Sequence, residues 1–316
     1  MHYTLKQLRY FVEVGENGSV TQAAQRLNVS QPSVSAALVA MEEQFRVQLF
    51  VRHHARGLTL TPSGRRLLGE AKQLLRHADQ FSHFAAGQGA LLGGKVTVGC
   101  MANVAPIVMP KLLTSFNEVH PSVDIELHEI PIEDIFEALA EGRIEVALTY
   151  GFHLERRMDF RVISDLPPYA LVAADHPLAD REGISLAELR TDPIVALDLE
   201  YSRHYFQSIY EQMEMSPRTR LRVTSTHMAR SLVAAGYGYC ILNLRPMGDV
   251  ALGGGQYRAL RLTDSLPSVQ FGVAVIPEIR ITAAAGVFAD HCATYWQESG
   301  FPYSIEAGGE CCAAAK

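Results

Sequence analysis

The stretch Ser19–Phe50 constrains this chain most. It holds two short helical patterns joined by a tight turn. The first runs Thr21–Leu27 and turns Ala23, Ala24 and Leu27 to one side. The second runs Pro32–Phe45, with Val34, Ala37, Leu38, Met41 and Phe45 at steps of three and four. Between them, Asn28 suits the end of a helix and Ser30 the cap of the next. Pro32 falls in the first turn, where its missing N–H is no loss. The pattern is a helix-turn-helix. Gln31, Ser33 and Ser35 lie on the polar side of its second helix, with Ser30 and Pro32 setting its start. Such short hydrogen-bonding side chains can approach base edges and phosphates in a major groove. A capped surface helix in any helical domain carries the same spacing, so the motif alone leaves both readings open.

Charge distribution bears on that choice. The chain has 316 residues and a net charge of −6, an odd balance for a DNA binder. Residues 1–93 hold ten Lys and Arg against six Asp and Glu, a net of +4, while residues 94–316 carry a net of −10. Basic charge is therefore gathered at the helix-turn-helix end, as phosphate binding requires. The acidic remainder is repelled by DNA and needs another task.

The wider N-terminal stretch narrows the reading. Leu8, Phe11 and Val12 are followed by Gly18-Ser19-Val20, Ala23-Ala24, Leu27 and Val29-Ser30-Gln31-Pro32. Ser35, Glu42, Leu49-Phe50, Arg52 and Leu60-Thr61-Pro62-Ser63-Gly64 complete a set of fixed offsets. Over Leu5–Leu67 the chain resembles the N-terminal domain of the LysR-type transcriptional regulators. It departs at Arg46, where the family usually has a glycine after the helix, so a differently built turn is expected there. It departs again at Ala36 and Ala37, where long polar or basic residues are common. Fewer direct base contacts follow, and the target sequence does not carry over.

The first helix, Leu5–Glu16, turns Leu5, Leu8, Phe11 and Val12 inward and leaves Arg9 free to touch a phosphate. Val51–Leu60 reads as a small two-stranded wing, whose Arg52 and Arg56 can lie along the DNA backbone or enter a minor groove. His53 and His54 have no third ligand nearby, which argues against a metal site. A helix then runs from Pro62 to about Ala86, on the order of 37 Å long at 1.5 Å per residue. Its stripe of Leu67, Leu68, Ala71, Leu74, Leu75, Ala78, Phe81 and Ala85 either packs on its own domain or, as the resemblance implies, forms an antiparallel dimer contact. Gly87–Gly94 is a flexible joint.

Beyond the joint, short apolar strands alternate with helical patterns, the mark of an α/β domain. This part is similar to the family's effector domain, most recognisably at His176–Ala179 and Leu232–Leu242, with Asn243 where proline is more usual. The resemblance implies an all-α winged helix-turn-helix domain over 1–61 and a linker helix with hinge over 62–93. It implies a periplasmic-binding-protein-like α/β domain over 94–303, with subdomain I at about 94–164 and 268–300 and subdomain II at about 165–267. Crossings are expected near Ile163–Leu166 and Ser265–Val269, and a disordered tail over 304–316.

Ligands of open α/β sheets bind beyond the carboxyl ends of strands. That rule selects Cys100, Met101, Ala102 and Asn103, then Pro131 and Ile132, then Tyr150. The second subdomain contributes Tyr201, Ser202, Arg203 and His204, and then Thr226, His227 and Met228. Arg203 at a helix start can pair bidentately with a carboxylate. Asn103 and Ser202 can hydrogen-bond, and Ile132, Tyr150, Tyr201 and Met228 offer apolar contact, so a small organic acid is the expected effector.

Other functions find less support. No Gly-x-Ser-x-Gly elbow, P-loop or HExxH motif stands in the chain, so no enzyme, cofactor or metal is expected. No apolar run reaches the ~18–20 residues of a membrane span, and the N-terminus lacks signal-peptide features, so a cytoplasmic protein is expected. The five cysteines, at 100, 240, 292, 311 and 312, have neither metal spacing nor a paired framework. The reactive pair of the family's peroxide-sensing branch has no counterpart here. A thiol-responsive regulator, a free solute-binding protein and a purely architectural DNA binder remain alternatives. The main reading is a regulator that binds double-stranded promoter DNA, is switched by a small molecule, dimerises through the Pro62–Ala86 helix and assembles further as a homotetramer, and contacts RNA polymerase.

Overall fold

The computed structural model describes residues 3–53, 57–83, 93–152, 158–297 and 300–305, with only the backbone at 80, 83, 200 and 201. Arg56 and His54 of the wing, most of the 87–94 joint, the expected helix end at 84–86 and the cysteines at 311 and 312 lie outside the described residues.

The N-terminal unit comprises α1 (Leu5–Asn17), α2 (Val20–Arg26), α3 (Gln31–Phe45) and an antiparallel ribbon, β1 (Phe50–His53) with β2 (Gly57–Leu60). The ribbon is the expected wing, so this unit is helical but not wholly so. Each helix starts where a side chain satisfies orphaned N–H groups: Thr4 caps α1 in a capping box, Ser19 caps α2 and Ser30 caps α3. Leu8, Phe11, Val14, Val34, Leu38, Met41, Leu49 and Phe50 close the core. Glu42 Oε1 accepts from the backbone N–H of Leu49 (2.7 Å) and Phe50 (3.1 Å), tying the recognition helix to the wing.

The turn after α3 is not built differently despite its unusual residue. Arg46 itself adopts the left-handed conformation, at φ 53° and ψ 38°, and its N–H caps the helix by bonding Glu42 and Glu43 carbonyls. A side chain thus stands where glycine would be unstrained.

Helix α4 (Pro62–His83) begins where Thr61 Oγ1 accepts from Gly64 N–H (2.9 Å) and donates to the Gln48 carbonyl (2.7 Å). Its apolar stripe is divided. Leu68 and Ala71 are buried against the N-terminal core and Leu67 and Leu75 pack beside them, whereas Leu74 is exposed and Phe81 is 72% exposed. A third face meets the α/β domain. Arg76 donates from Nη1 to the Gly142 carbonyl (3.0 Å) and pairs through Nε with Glu145 Oε1 (3.4 Å). Glu145 is only 1% exposed in its side chain and also accepts from Thr282 N–H at 3.0 Å. A Cβ on Gly69 would press on the Glu141 backbone, so close approach of helix and turn requires glycine there.

The α/β domain has two sheets. The first orders β4-β3-β5-β13-β6, from β3 (Gly94–Cys100), β4 (Val123–Glu129), β5 (Val146–Tyr150), β6 (Asp159–Leu166) and β13 (Val269–Val275). Strands β3, β4 and β5 run parallel, and β13 is antiparallel to both its neighbours. Helices α5 (Ala105–Val119), α6 (Ile135–Ala140) and α9 (Ala283–Thr294) cover it. The second sheet orders β11-β7-β12-β8, from β7 (Tyr169–Ala173), β8 (Gly183–Ile184), β11 (Cys240–Leu242) and β12 (Tyr257–Leu262). A parallel pair, β9 (Ile194–Leu197) with β10 (Thr219–Val223), joins it through a bridge between Ile194 and Tyr239. Helices α7 (Glu200–Gln212) and α8 (Thr226–Ala234) pack on this sheet.

The chain passes from β6 to β7 at Pro167-Pro168, just beyond the expected crossing, and returns between β12 and β13. Asn243 spans the two passages. Its Nδ2 donates to the Leu166 carbonyl (2.9 Å) and to Tyr205 Oη (2.7 Å), and Tyr205 in turn donates to the Pro267 carbonyl (2.8 Å). A third link was not expected. Phe301 and Tyr303 pack into the first subdomain's core while Ile305 is buried in the second's, so residues 304–305 are ordered chain, not tail.

Candidate nucleic-acid interface and effector cavity

At the N-terminal end of α3, Gln31, Pro32 and Ser33 are exposed and Ser35 is half-buried. Ser30 Oγ accepts from Ser33 N–H (3.4 Å) and shares a hydrogen bond with Ser33 Oγ (2.7 Å), so Ser30 is occupied by capping. Ser33 retains capacity for one more partner. Arg52 projects from the wing, exposed and with no ion-pair partner among the described residues. Arg9, expected at a phosphate, pairs here with Asp79 of α4 at 3.0 Å. Exposed pairs of this kind are weak, so Arg9 is engaged but not immobilised.

The cavity lies where the strand-end rule places it. It measures about 470 Å³ and opens between the two subdomains. From the first sheet come Met101, Ala102 and Asn103 after β3, Glu129–Glu133 after β4, and Tyr150 with Phe152 at the end of β5. From the second come Leu197 and Leu199 after β9, Ser202 and Phe206 of α7, Thr226 and Arg230 of α8, and Leu242–Leu244 after β11. Aliphatic and aromatic walls with few polar groups are usual for small-molecule sites. Burial pushes the Tyr150 phenol up, partly offset by Arg230, so its hydroxyl stays protonated and able to donate.

Of the fourteen candidates, Met101, Ala102, Asn103, Pro131, Ile132, Tyr150, Ser202 and Thr226 line the cavity. Cys100 is buried behind it in the first subdomain's core. Arg203 does not face it. Its guanidinium is held by Asp198 (Nε–Oδ1 2.6 Å), its side chain is 54% exposed, and it borders a separate hollow on the outside of β9 and α7. The reason is local: Asp198 follows β9 directly, five residues before Arg203, and captures it at short range. His204 and Met228 are exposed, and His227 is half-buried outside the cavity lining. The Tyr201 side chain lies outside the described residues.

Arg230 was the residue to find. It is 4% exposed, lines the cavity, and spends one nitrogen, Nη2, on the Leu244 carbonyl (3.0 Å). Its Nε and Nη1 have no hydrogen-bond partner, and neither does Thr226 Oγ1 beside it. Among the described residues no carboxylate pairs with it. The signal was present in Thr226-His-Met-Ala-Arg230: an arginine on the inward face of a helix, beside Ala229 and Val233. The described thiols of Cys100, Cys240 and Cys292 are all buried. Burial raises each of them, Cys240 to about 12. Among the described residues no cluster of His, Cys, Asp and Glu is placed to hold a metal ion, and no helix is long and apolar enough to cross a membrane.

Comparison with known proteins now decides the family. The bacterial regulatory helix-turn-helix protein, lysR family, matches residues 5–65, and the LysR substrate binding domain matches residues 89–297. The chain belongs to the LysR family. It is similar to the HTH-type transcriptional regulator YnfL of Escherichia coli strain K12, at 30% identity over 77% of this chain and 82% of that protein. It is similar to the crystal structure of HinK, a LysR family regulator of Pseudomonas aeruginosa, at 31% identity and TM-score 0.63, covering 93% of this chain and 98% of that one. The dual regulator OxyR of Escherichia coli strain K12 is 25% identical over 75% of this chain and 78% of its own length. The LysR protein described above is thus a DNA-binding transcriptional regulator with an α/β effector-binding domain, and its relatives are regulators rather than enzymes.

Proposed function

We propose that this LysR regulator works in the cytoplasm and is switched by a small organic acid held between its two α/β subdomains. The observation that carries the reading is the cavity itself: both subdomains line it at their strand ends, and its walls are apolar with few polar groups. An effector that prefers one angle between the subdomains shifts their equilibrium by its difference in affinity. The first subdomain meets α4 through Arg76 and Glu145, so a change of angle is transmitted to the DNA-binding unit. Two chains pair through the exposed Leu74 and Phe81 side of α4, two such dimers form a tetramer, and each paired head reads one half-site. Altered spacing of the heads changes DNA bending and contact with RNA polymerase.

A thiol switch is favoured by the likeness to OxyR. Against it, Cys100, Cys240 and Cys292 are buried and shifted away from the thiolate, the opposite of what a reactive cysteine needs.

The test is a thermal-shift screen of the full chain against small acids. An acid at about 100 times its Kd stabilises by ~2.7 kcal/mol, a shift readily measured. Stabilisation by acids, with altered DNA affinity, supports the reading. Stabilisation by neutral compounds alone, or a response to peroxide that acids do not reproduce, contradicts it.

A further inference from the structure

A buried guanidinium with no counter-charge among the described residues is an unusual thing for a fold to keep. Arg230 sits among Tyr150, Tyr169, Tyr257 and Cys240, all held neutral by burial. Its one satisfied nitrogen shares the Leu244 carbonyl with the Tyr169 hydroxyl, which donates to the same oxygen at 3.1 Å. Two further nitrogens are left without a partner, and the Thr226 hydroxyl, one helical turn earlier on α8, is also unpaired. Both residues line the cavity, and the Nε–H together with the remaining hydrogen of Nη2 makes an edge that a planar two-oxygen anion satisfies. Both isolated charge and unpaired hydroxyl disfavour the empty fold, so occupation by an anion relieves both.

The opposite wall limits what else the anion carries. Glu129 and Glu133 stand on the first-subdomain side, and both are exposed at the cavity's rim. A second negative group reaching that side is repelled. Between the two poles lie Ile132, Phe152, Leu197 and Phe206.

We propose that Arg230, with Thr226, is the anion anchor of this cavity and that its ligand is a monocarboxylate with an apolar or aromatic body. This rests on the reading of the cavity as the effector site and names its ligand class. The role assigned earlier to an arginine of α7 therefore belongs to one of α8.

Isothermal titration of the full chain tests the assignment with hexanoate, benzoate and 3-phenylpropionate, with their neutral amides, and with succinate. A monoacid binds, its amide does not, and succinate binds more weakly. Arg230→Met weakens the acid on the order of 100-fold, as loss of a buried charged partner does. Thr226→Val weakens it about 10-fold. Without ligand, Arg230→Met melts no lower than the parent, because an unpaired buried charge has been removed; a merely structural arginine would lower the melt. Should Arg230→Met fail to fold, Thr226→Val and the acid–amide contrast decide. Equal binding of acid and amide, or an acid affinity unchanged in either variant, overturns the anchor while leaving an acid effector in place. Binding of no acid, by parent or variant, overturns the anchor and the acid reading together.

Discussion

The contact between Arg76 and Glu145 is the described ion pair between the linker helix and the α/β domain, and its loss should be visible. Arg76→Ala leaves Glu145, 1% exposed, without its cation. Removing one partner of a buried pair costs ~3–5 kcal/mol. Two circumstances reduce that here. The pair is 3.4 Å apart with Arg76 17% exposed, and Glu145 keeps the Thr282 N–H at 3.0 Å. A loss of about 2–3 kcal/mol follows, which for a domain of this size lowers Tm by roughly 5–10 °C. The chain's single tryptophan, Trp296, is buried in the same core as the strand that follows Glu145, so its fluorescence reports the transition directly. Glu145→Gln should do less harm, since a neutral amide oxygen still accepts the Thr282 N–H and Arg76 keeps its bond to the Gly142 carbonyl. Arg76→Met combined with Glu145→Gln should recover more than half of the Arg76→Ala loss. The reasoning is refuted if Arg76→Ala melts within about 1 °C of the parent, or if Glu145→Gln is the more damaging change.

Three further outcomes follow from particular residues. Arg46→Gly should stabilise the N-terminal unit by about 0.5–1 kcal/mol, because φ 53° is strained for any side chain, and chemical denaturation of the full chain measures it. Arg52→Ala should weaken binding to all DNA sequences and flatten the salt dependence, while Ser33→Ala should weaken mainly a selected site; equal effects of both on random DNA would remove Ser33 from direct readout. Asn243→Ala should destabilise by about 1–2 kcal/mol and speed proteolysis at the 163–168 passage, because one side chain bridges the Leu166 carbonyl and Tyr205 Oη; unchanged proteolysis would show that the bridge does not brace the crossings.

What could be read from the sequence was set by local rules. Caps at Thr4, Ser19, Ser30 and Thr61 mark helix starts because the residue that satisfies an orphaned N–H must stand beside it in the chain. The strand-end rule found eight cavity residues because topology alone puts those loops together. Partner choice was harder. Arg203 reads as a carboxylate clamp until Asp198, five residues away, is seen to hold it, and Arg9 reads as a phosphate contact until α4 brings Asp79 beside it. Strands β6 and β12 carry weaker signals: the pairing of Asp159–Leu166 is interrupted by an irregularity between Phe271 and Gly272, and Tyr257–Leu262 puts an arginine on each face. Arg230 escaped because its meaning lies in what it lacks: that no described carboxylate pairs with it shows only once neighbours from four elements are in place. Arg46 shows the converse. Its residue type argued for another turn, yet two hydrogen bonds to Glu42 and Glu43 carbonyls hold the ordinary one.

The central claim is that occupation of the inter-subdomain cavity rearranges the DNA-binding units. The most direct measurement is a nuclease footprint of the full chain on a DNA site selected from random sequence, with and without a saturating monocarboxylate. The account predicts that the acid changes the length of the protected region or its pattern of hypersensitive cuts, and that the change is lost in Arg230→Met. An identical footprint and equal affinity with the cavity filled would contradict it.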